Sequence, residues 1–254
     1  MPGAGSVPLA ARLAAAGCVA ADEEAAELTA AAPDGSTLEA WITRRENGEP
    51  FAWIVGTAPF CGHSVRVDRG VYVPRPQSEE LARRAAALLP DHGAAADICT
   101  GSGAVAVHVA RAVPTALVVG IDRDLRSAQC ARTNGVAAVV GDLGESLRTA
   151  AFDVVTAVAP YVPTDQLRYL PADVQRYEPR FALDGGEDGL ELIRRIVVVA
   201  RRVLRPGGWL VLEVGGDQDA ALAPVLDGEG FLPPVVWSDE DGDIRGLASQ
   251  VRTA

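Results

Sequence analysis

The 254-residue chain contains no lysine, so all 23 of its basic residues are arginine. That absence excludes Schiff-base and pyridoxal-phosphate lysines and the lysine of a Walker A loop. Cysteine is sparse, and Cys18, Cys61, Cys99 and Cys130 form no C-x-x-C pair. Zinc-ligand spacing is therefore missing, and a disulfide scaffold does not suit a chain of this size. His63, His92 and His108 are just as scattered, and neither a G-x-S-x-G elbow nor H-E-x-x-H occurs. No metal is expected. Positive charge is short as well: 34 acidic residues give a net charge of −11 and a pI near 4.8. That balance argues against a broad nucleic-acid surface. Long apolar runs are also lacking. Near the N-terminus Asp22, Glu23 and Glu24 interrupt the alanine-rich stretch, whose Ala-Leu pattern fits an amphipathic helix better than a signal core. The reading is a cytoplasmic protein without a membrane partner.

What is present is 48% hydrophobic composition, enough for a real core in one large domain with or without a small appendage. Residues 1–48 read as a helical N-terminal region, with Pro33-Asp34-Gly35 as a turn between helices. Residues 49–75 read as a linker and β-hairpin, formed by FAWIVG and HSVRVDRGVYV. From residue 76 to 254, short apolar runs alternate with helical ones: AAADIC, ALVVGID, VAAVVGD, FDVVTAV and WLVLEVG are strands. FLPPVVW is a further strand, and DIRGLASQVR supplies a final edge strand. The fold class is α/β, a mainly parallel Rossmann-like sheet with helices on both faces. Ligands in such sheets bind beyond the carboxyl ends of the strands.

The run Asp97-Ile98-Cys99-Thr100-Gly101-Ser102-Gly103 leaves one strand and enters a helix. Its glycines permit a tight turn and close ligand approach, as in many dinucleotide sites. The acids narrow the choice. Asp122 ends the next strand, where a carboxylate can accept both ribose hydroxyls, with Arg123 beside it. Asp97 would sit badly near a pyrophosphate but suits a ligand with an ammonium and a sulfonium. Asp142, followed by Leu143, ends the third strand and is placed for an adenine amine. Ordered this way, the set favours S-adenosylmethionine (SAM) over NAD; the bland alternative is three helix caps or loop acids. Cys99 reads as a small packing residue, and His63 and His108 as structural rather than catalytic. The pairs Arg194-Arg195 and Arg201-Arg202 read as a solvated helix face.

From about Gly48 to Gln218 the chain resembles the HemK/PrmC family of class I methyltransferases. The motifs are VYVPRPQSEEL, DICTGSGAVAV, APYVP, YEPRFALDGGEDGLELIRRI and LRPGGWLVLEVGGDQ, in that order. The resemblance implies a class I methyltransferase sheet preceded by a small helical region. It also implies methyl transfer from SAM to the side-chain amide nitrogen of a glutamine in a peptide-chain release factor. Cofactor contacts would come from the Asp97–Gly103 loop, Asp122, Arg123, Asp142, Leu143, Val158, and Pro74 with Arg75. Two prolines flank Arg75, so this segment is expected to stand as a stiff wall over the cofactor. The acceptor motif falls on Val158, Ala159, Pro160 and Tyr161, where the family carries Asn-Pro-Pro-Tyr. The family's Asn side chain and the following carbonyl hold the substrate amide; Val158 leaves only backbone carbonyls and the Tyr161 wall. Cys99 departs from the usual glycine of the loop. Tyr177 and Glu178 either shape the acceptor pocket or serve packing. Val158 also leaves room for a small-molecule acceptor, and a non-catalytic SAM-binding protein is a weaker alternative.

Overall fold

A computed structural model describes residues 7–253. Residues 1–6 of the expected helical region and Ala254 of the sheet domain lie outside them. The N-terminal region holds α1 (Leu9–Ala15), α2 (Ala21–Ala31) and α3 (Gly35–Glu46). Asp34 caps α3 by accepting a hydrogen bond from the Thr37 amide. Leu13, Leu28 and Ile42 bury the inner faces of these helices against Ile54, giving them a small core of their own. Arg45 closes on Glu24 at 2.6 Å across that core.

Residues Phe51–Val55 form helix α4, not the first strand of the expected hairpin. Pro50 precedes the helix, and Gly56, at φ +84, ends it in the left-handed conformation that glycine adopts freely. Those two residues outweigh the β-branched character of Ile54 and Val55. The hairpin instead pairs β1 (Thr57–Phe60) with β2 (His63–Arg66). The Trp53 indole donates to the Val71 carbonyl at 2.9 Å, fastening α4 to the segment that leads into the PRPQSE run.

Helix α5 (Glu79–Leu88) begins after a single turn over Pro76–Ser78, with Glu79 and Glu80 in its first turn, where the helix dipole favours them. Alternation then proceeds through β3 (Ala94–Ile98), α6 (Ala104–Ala112), β4 (Leu117–Asp122), α7 (Leu125–Thr133), β5 (Ala137–Val140) and β6 (Phe152–Ala157). After a long connection containing α8 (Ala172–Tyr177) come α9 (Glu191–Val203), β7 (Leu204–Glu213), α10 (Gln218–Gly228), β8 (Val235–Ser238) and β9 (Ile244–Gln250). The sheet order is β5-β4-β3-β6-β7-β9-β8. The first five strands run parallel, and β9 pairs antiparallel with both its neighbours. Ile193, Ile196, Val197 and Ala200 of α9 pack one face of the sheet, while α5 and α6 cover the other.

The last strand differs from expectation: β9 lies inside the sheet, and β8 forms the edge. Leu247, Ala248 and Ser249 are buried, whereas Val235 of β8 is exposed. Gly246, Ala248 and Ser249 of β9 are small and uncharged, so that stretch tolerates burial on both faces. Gly246 also leaves room for Trp237, whose ring would overlap any Cβ placed there. Among the described residues no helix is long and apolar enough to cross a membrane.

Strand order reverses around β3: the chain winds outward through β4 and β5, then returns to place β6 on the other side of β3. The loops leaving β3 and β6 are therefore neighbours at the topological switch point, where a parallel sheet opens a crevice.

Candidate active site

Asp97 is the fixed point of the crevice. It stands near the end of β3, only 3% exposed, and accepts 2.7 Å hydrogen bonds from the hydroxyls of Thr100 and Thr156. Gly120 on β4 makes this possible, because a Cβ there would meet Thr100 Oγ1 at 2.8 Å. Burial raises the Asp97 carboxyl from 3.8 to about 6, with the hydroxyls opposing the shift and the nearby Asp122 adding to it. Asp122 accepts the Gly101 amide on one oxygen and the Asp124 amide on the other, both at 2.9 Å. Burial also raises Asp122, against those two amides.

The loop between the acids is held from several sides. The Thr100 amide donates to the Ile121 carbonyl, and Asn134 Nδ2 donates to the Ser102 carbonyl at 2.8 Å. Gly101, at φ +55, has open space where a Cβ would stand. Cys99 occupies the same left-handed region at φ +59, which gives a physical reason for glycine being usual at this position. Its thiol value is pushed up by burial and by the neighbouring acids, so Cys99 is no ready nucleophile. Cys99→Gly should stabilise the protein by about 1 kcal/mol, because a non-glycine residue in this conformation carries ~1–2 kcal/mol of strain. That corresponds to a melting temperature higher by roughly 2–4 °C. A glycine variant melting below the parent would mean that the lost thiol packing outweighs the strain.

Around these residues lies a cleft open on one side, where a ligand can meet the loop and both acids. Asp97, Cys99, Thr100, Gly101, Ser102, Asp122, Arg123, Pro74, Val158 and Pro160 all line it, so most of the expected cofactor residues come together. Gly103, at φ +82, stands behind the loop instead, where a Cβ would meet Ala131 and Val136 at 3.0 Å. Asp142 and Leu143 do not reach the lining. The Asp142 carboxylate pairs with Arg195 at 2.6 Å, and Leu143 is buried in the core. Arg202 bonds the carbonyls of Gly144 and Leu147. The α9 arginines thus do more than solvate a face: they hold the loop after β5. The sequence reading missed Phe60 of the hairpin, Ser78, and Phe181 with Ala182, which also line the cavity. They lie on a short hairpin and single turns, which have no periodicity to read. Thr156, buried on β6, was missed for the same reason: one hydroxyl within an apolar run looks like packing.

A second cavity, of about 340 Å³, adjoins the first. Val158, Ala159, Pro160 and Tyr161 all line it, and Tyr72, Val158, Pro160 and Ala182 form walls of both cavities. Arg75 belongs to this second cavity and not to the first. It lies over the Tyr72 ring at 5.0 Å and pairs with Glu178, whose second carboxylate oxygen is buried without a partner. Of the flanking candidates, Glu178 therefore braces the wall through Arg75. Tyr177 instead bonds the Asn47 carbonyl at 2.8 Å and meets Trp53 edge-on, joining α8 to the N-terminal region. Behind Tyr161, Glu213 ends β7 at 1% exposure. Gln77 Nε2 donates to Tyr161 Oη at 2.9 Å and reaches Glu213 Oε1 at 3.4 Å. His63 and His108 lie together, ring centroids 6.1 Å apart, outside the lining of both cavities.

The first cavity fits a cationic nucleoside ligand. Two desolvated carboxylates stand at adjacent strand ends around a glycine turn, and one of them, Asp97, has a raised value that a bound cation would lower. Among the described residues no cluster suited to a metal ion occurs.

No protein-family model matches the chain. Among solved structures, it resembles the 16S rRNA methyltransferase RsmC of T. thermophilus, in complex with AdoMet and guanosine. The TM-score is 0.53 at 17% identity, over 78% of this chain and 44% of that one. It also resembles a ribosomal protein L11 methylase of Lactobacillus delbrueckii, at TM-score 0.53 and 17% identity over 77% and 90%. These likenesses establish the Rossmann-like methyltransferase fold. In sequence it is 36% identical over 216 residues to a release factor glutamine methyltransferase of Geobacter sulfurreducens, covering 83% of this chain and 76% of that protein. The enzyme of the same name from Thermodesulfovibrio yellowstonii is 34% identical over 84% and 81%. With the strand-end acids, the glycine turn and the paired cavities in place, the chain belongs to the release factor glutamine methyltransferase family.

Proposed function

We propose that this protein transfers a methyl group from SAM to the side-chain amide nitrogen of a glutamine in a peptide-chain release factor, in the cytoplasm. The observation that carries the reading is the meeting of the two cavities at Tyr72, Val158, Pro160 and Ala182. One is lined by carboxylates, and the other opens to an incoming side chain. The names of the relatives support the acceptor. We read the chain in three parts: a helical region through residue 48, a connection over 49–75, and the catalytic domain from residue 76.

In this reading Asp97 faces the ammonium of the bound cofactor, and Asp122 its ribose hydroxyls, with Arg123 alongside. Asp142 would have to leave Arg195 to meet the adenine. Pro74 closes one wall, while Arg75 acts from the acceptor side. SAM held there would supply a methyl carbon made electrophilic by its sulfonium; the acceptor nitrogen would take it as the carbon–sulfur bond breaks, the electron pair leaving with sulfur and one amide proton passing to bulk solvent on product release. What the chain contributes is alignment and exclusion of water: the carbonyls of Val158 and Ala159 orient the nitrogen, and Pro160 and Tyr161 wall it in.

Asp122→Ala is expected to weaken SAM binding by about 1.5–3 kcal/mol, since a charge-assisted contact and the brace on Gly101 are lost together. Calorimetric titration checks this, and an unchanged affinity would place the ribose elsewhere. A second reading, a small-molecule acceptor, is favoured by Val158, whose apolar side chain lines the acceptor cavity. Labelled SAM incubated with a release factor, with a glutamine peptide and with a metabolite pool separates the two. Label in the release factor supports the first reading; label confined to metabolites supports the second.

A further inference from the structure

Val158 removes the amide side chain that the family motif would offer to the substrate, so the acceptor cavity needs another oxygen for the substrate N–H. A primary amide brings two N–H donors, and leaving one unpaired on burial is costly. Besides Gln77, the cavity's side-chain oxygens are those of Tyr72, Tyr161 and Asp173. The Tyr161 hydroxyl is already engaged by Gln77. Asp173, half-buried near the start of α8, already accepts the Val174 amide. Tyr72 lies under the Arg75 guanidinium.

Gln77 is exposed at the mouth of the cavity, yet its amide end is fixed. Its Nε2 is held by Tyr161 Oη at 2.9 Å and by Glu213 Oε1 at 3.4 Å. Glu213 is buried at the end of β7, so this hold comes from the rigid sheet. Both of these oxygens receive from Nε2, so the NH₂ end of Gln77 is turned toward the protein. Its Oε1 accepts no hydrogen bond from the described residues. We infer that Gln77 is a specificity-determining residue of the acceptor site: its carbonyl, aimed by Tyr161 and Glu213, receives one N–H of a substrate carboxamide in place of the absent Asn. The favoured ligand class is a neutral primary amide, because Gln77 offers an acceptor without charge. This inference rests on the proposed glutamine methylation.

The test measures methyl transfer to a release factor by the parent, Gln77→Leu, Val158→Asn and the double variant, with SAM affinity determined calorimetrically for the parent and Gln77→Leu. Gln77→Leu should lower kcat/KM by about fivefold to tenfold, the worth of one hydrogen bond to the substrate amide. SAM affinity should stay within about twofold of the parent, as Gln77 lies outside the cofactor cavity. Val158→Asn should gain more in the Gln77→Leu background than in the parent, since there the new amide replaces a missing acceptor instead of adding to one. A purely structural role for Gln77 would leave that gain equal in both backgrounds. A Gln77→Leu variant as fast as the parent, or an equal gain from Val158→Asn in both backgrounds, would overturn the inference while leaving glutamine methylation standing. A parent that binds SAM but leaves the release factor unmethylated would overturn both.

Discussion

Asp97→Asn is expected to melt at a higher temperature than the parent at neutral pH and to bind SAM about a hundredfold more weakly. The two effects share one cause. The carboxyl is buried on β3 between two threonine hydroxyls, and burial raises it from 3.8 to about 6. One pKa unit is worth about 1.4 kcal/mol, so keeping Asp97 ionised in the ligand-free protein costs on the order of 3 kcal/mol. As pH rises, the unfolded chain releases this proton near 3.8, while the folded protein retains it up to about 6. The native state thus binds more protons across that window. Stability from this group is greatest below the window, falls as pH rises through it, and is lost above it. Asn cannot ionise and can still bond Thr100 and Thr156, whose hydroxyls rotate. Its melting temperature should therefore depend less on pH between about 4 and 6. A bound ammonium favours the charged carboxylate, so the parent's SAM affinity should decline as the medium is acidified below about 6. Thermal unfolding across pH and calorimetric titration check both halves. An Asn variant that binds SAM as tightly as the parent would remove Asp97 from the cofactor site.

Val158→Asn should raise kcat/KM on a glutamine-containing protein substrate by about one to two orders of magnitude. Each hydrogen bond to a buried amide is worth roughly 1–3 kcal/mol, and a decade corresponds to about 1.4 kcal/mol. Val158 stands where the two cavities meet, so an Asn there would reach the reacting nitrogen without entering the Asp97 loop. An apolar small-molecule acceptor predicts the opposite sign, because the new amide would be buried without a partner. Steady-state rates on both substrate classes decide between them.

The parallel sheet was legible because its strands are short apolar runs with Asp97, Asp122 and Asp142 at or just beyond their ends. The glycine turn was legible from Gly101 and Gly103 between two acids. Asp142 shows the limit of that reasoning: its strand-end position was correctly read, but its partner, Arg195, lies on a helix more than fifty residues later. Helix α4 was misread because Ile54 and Val55 suggested a strand, while the bracketing Pro50 and Gly56 decided the outcome. The interior place of β9 depends on a return of the chain that local pattern does not encode. Gln77 was hidden for a similar reason. A polar residue in PRPQSE carries no signal until β7 brings Glu213 behind it.

The most direct test of glutamine methylation is to locate the transferred methyl group. A release factor treated with this protein and SAM should be digested and its peptides sequenced by tandem mass spectrometry. The account predicts one added methyl on the side-chain nitrogen of a single glutamine, lost when that glutamine is replaced. A release factor returned without a methyl group, by a protein that binds SAM and methylates a small molecule in the same mixture, would contradict it.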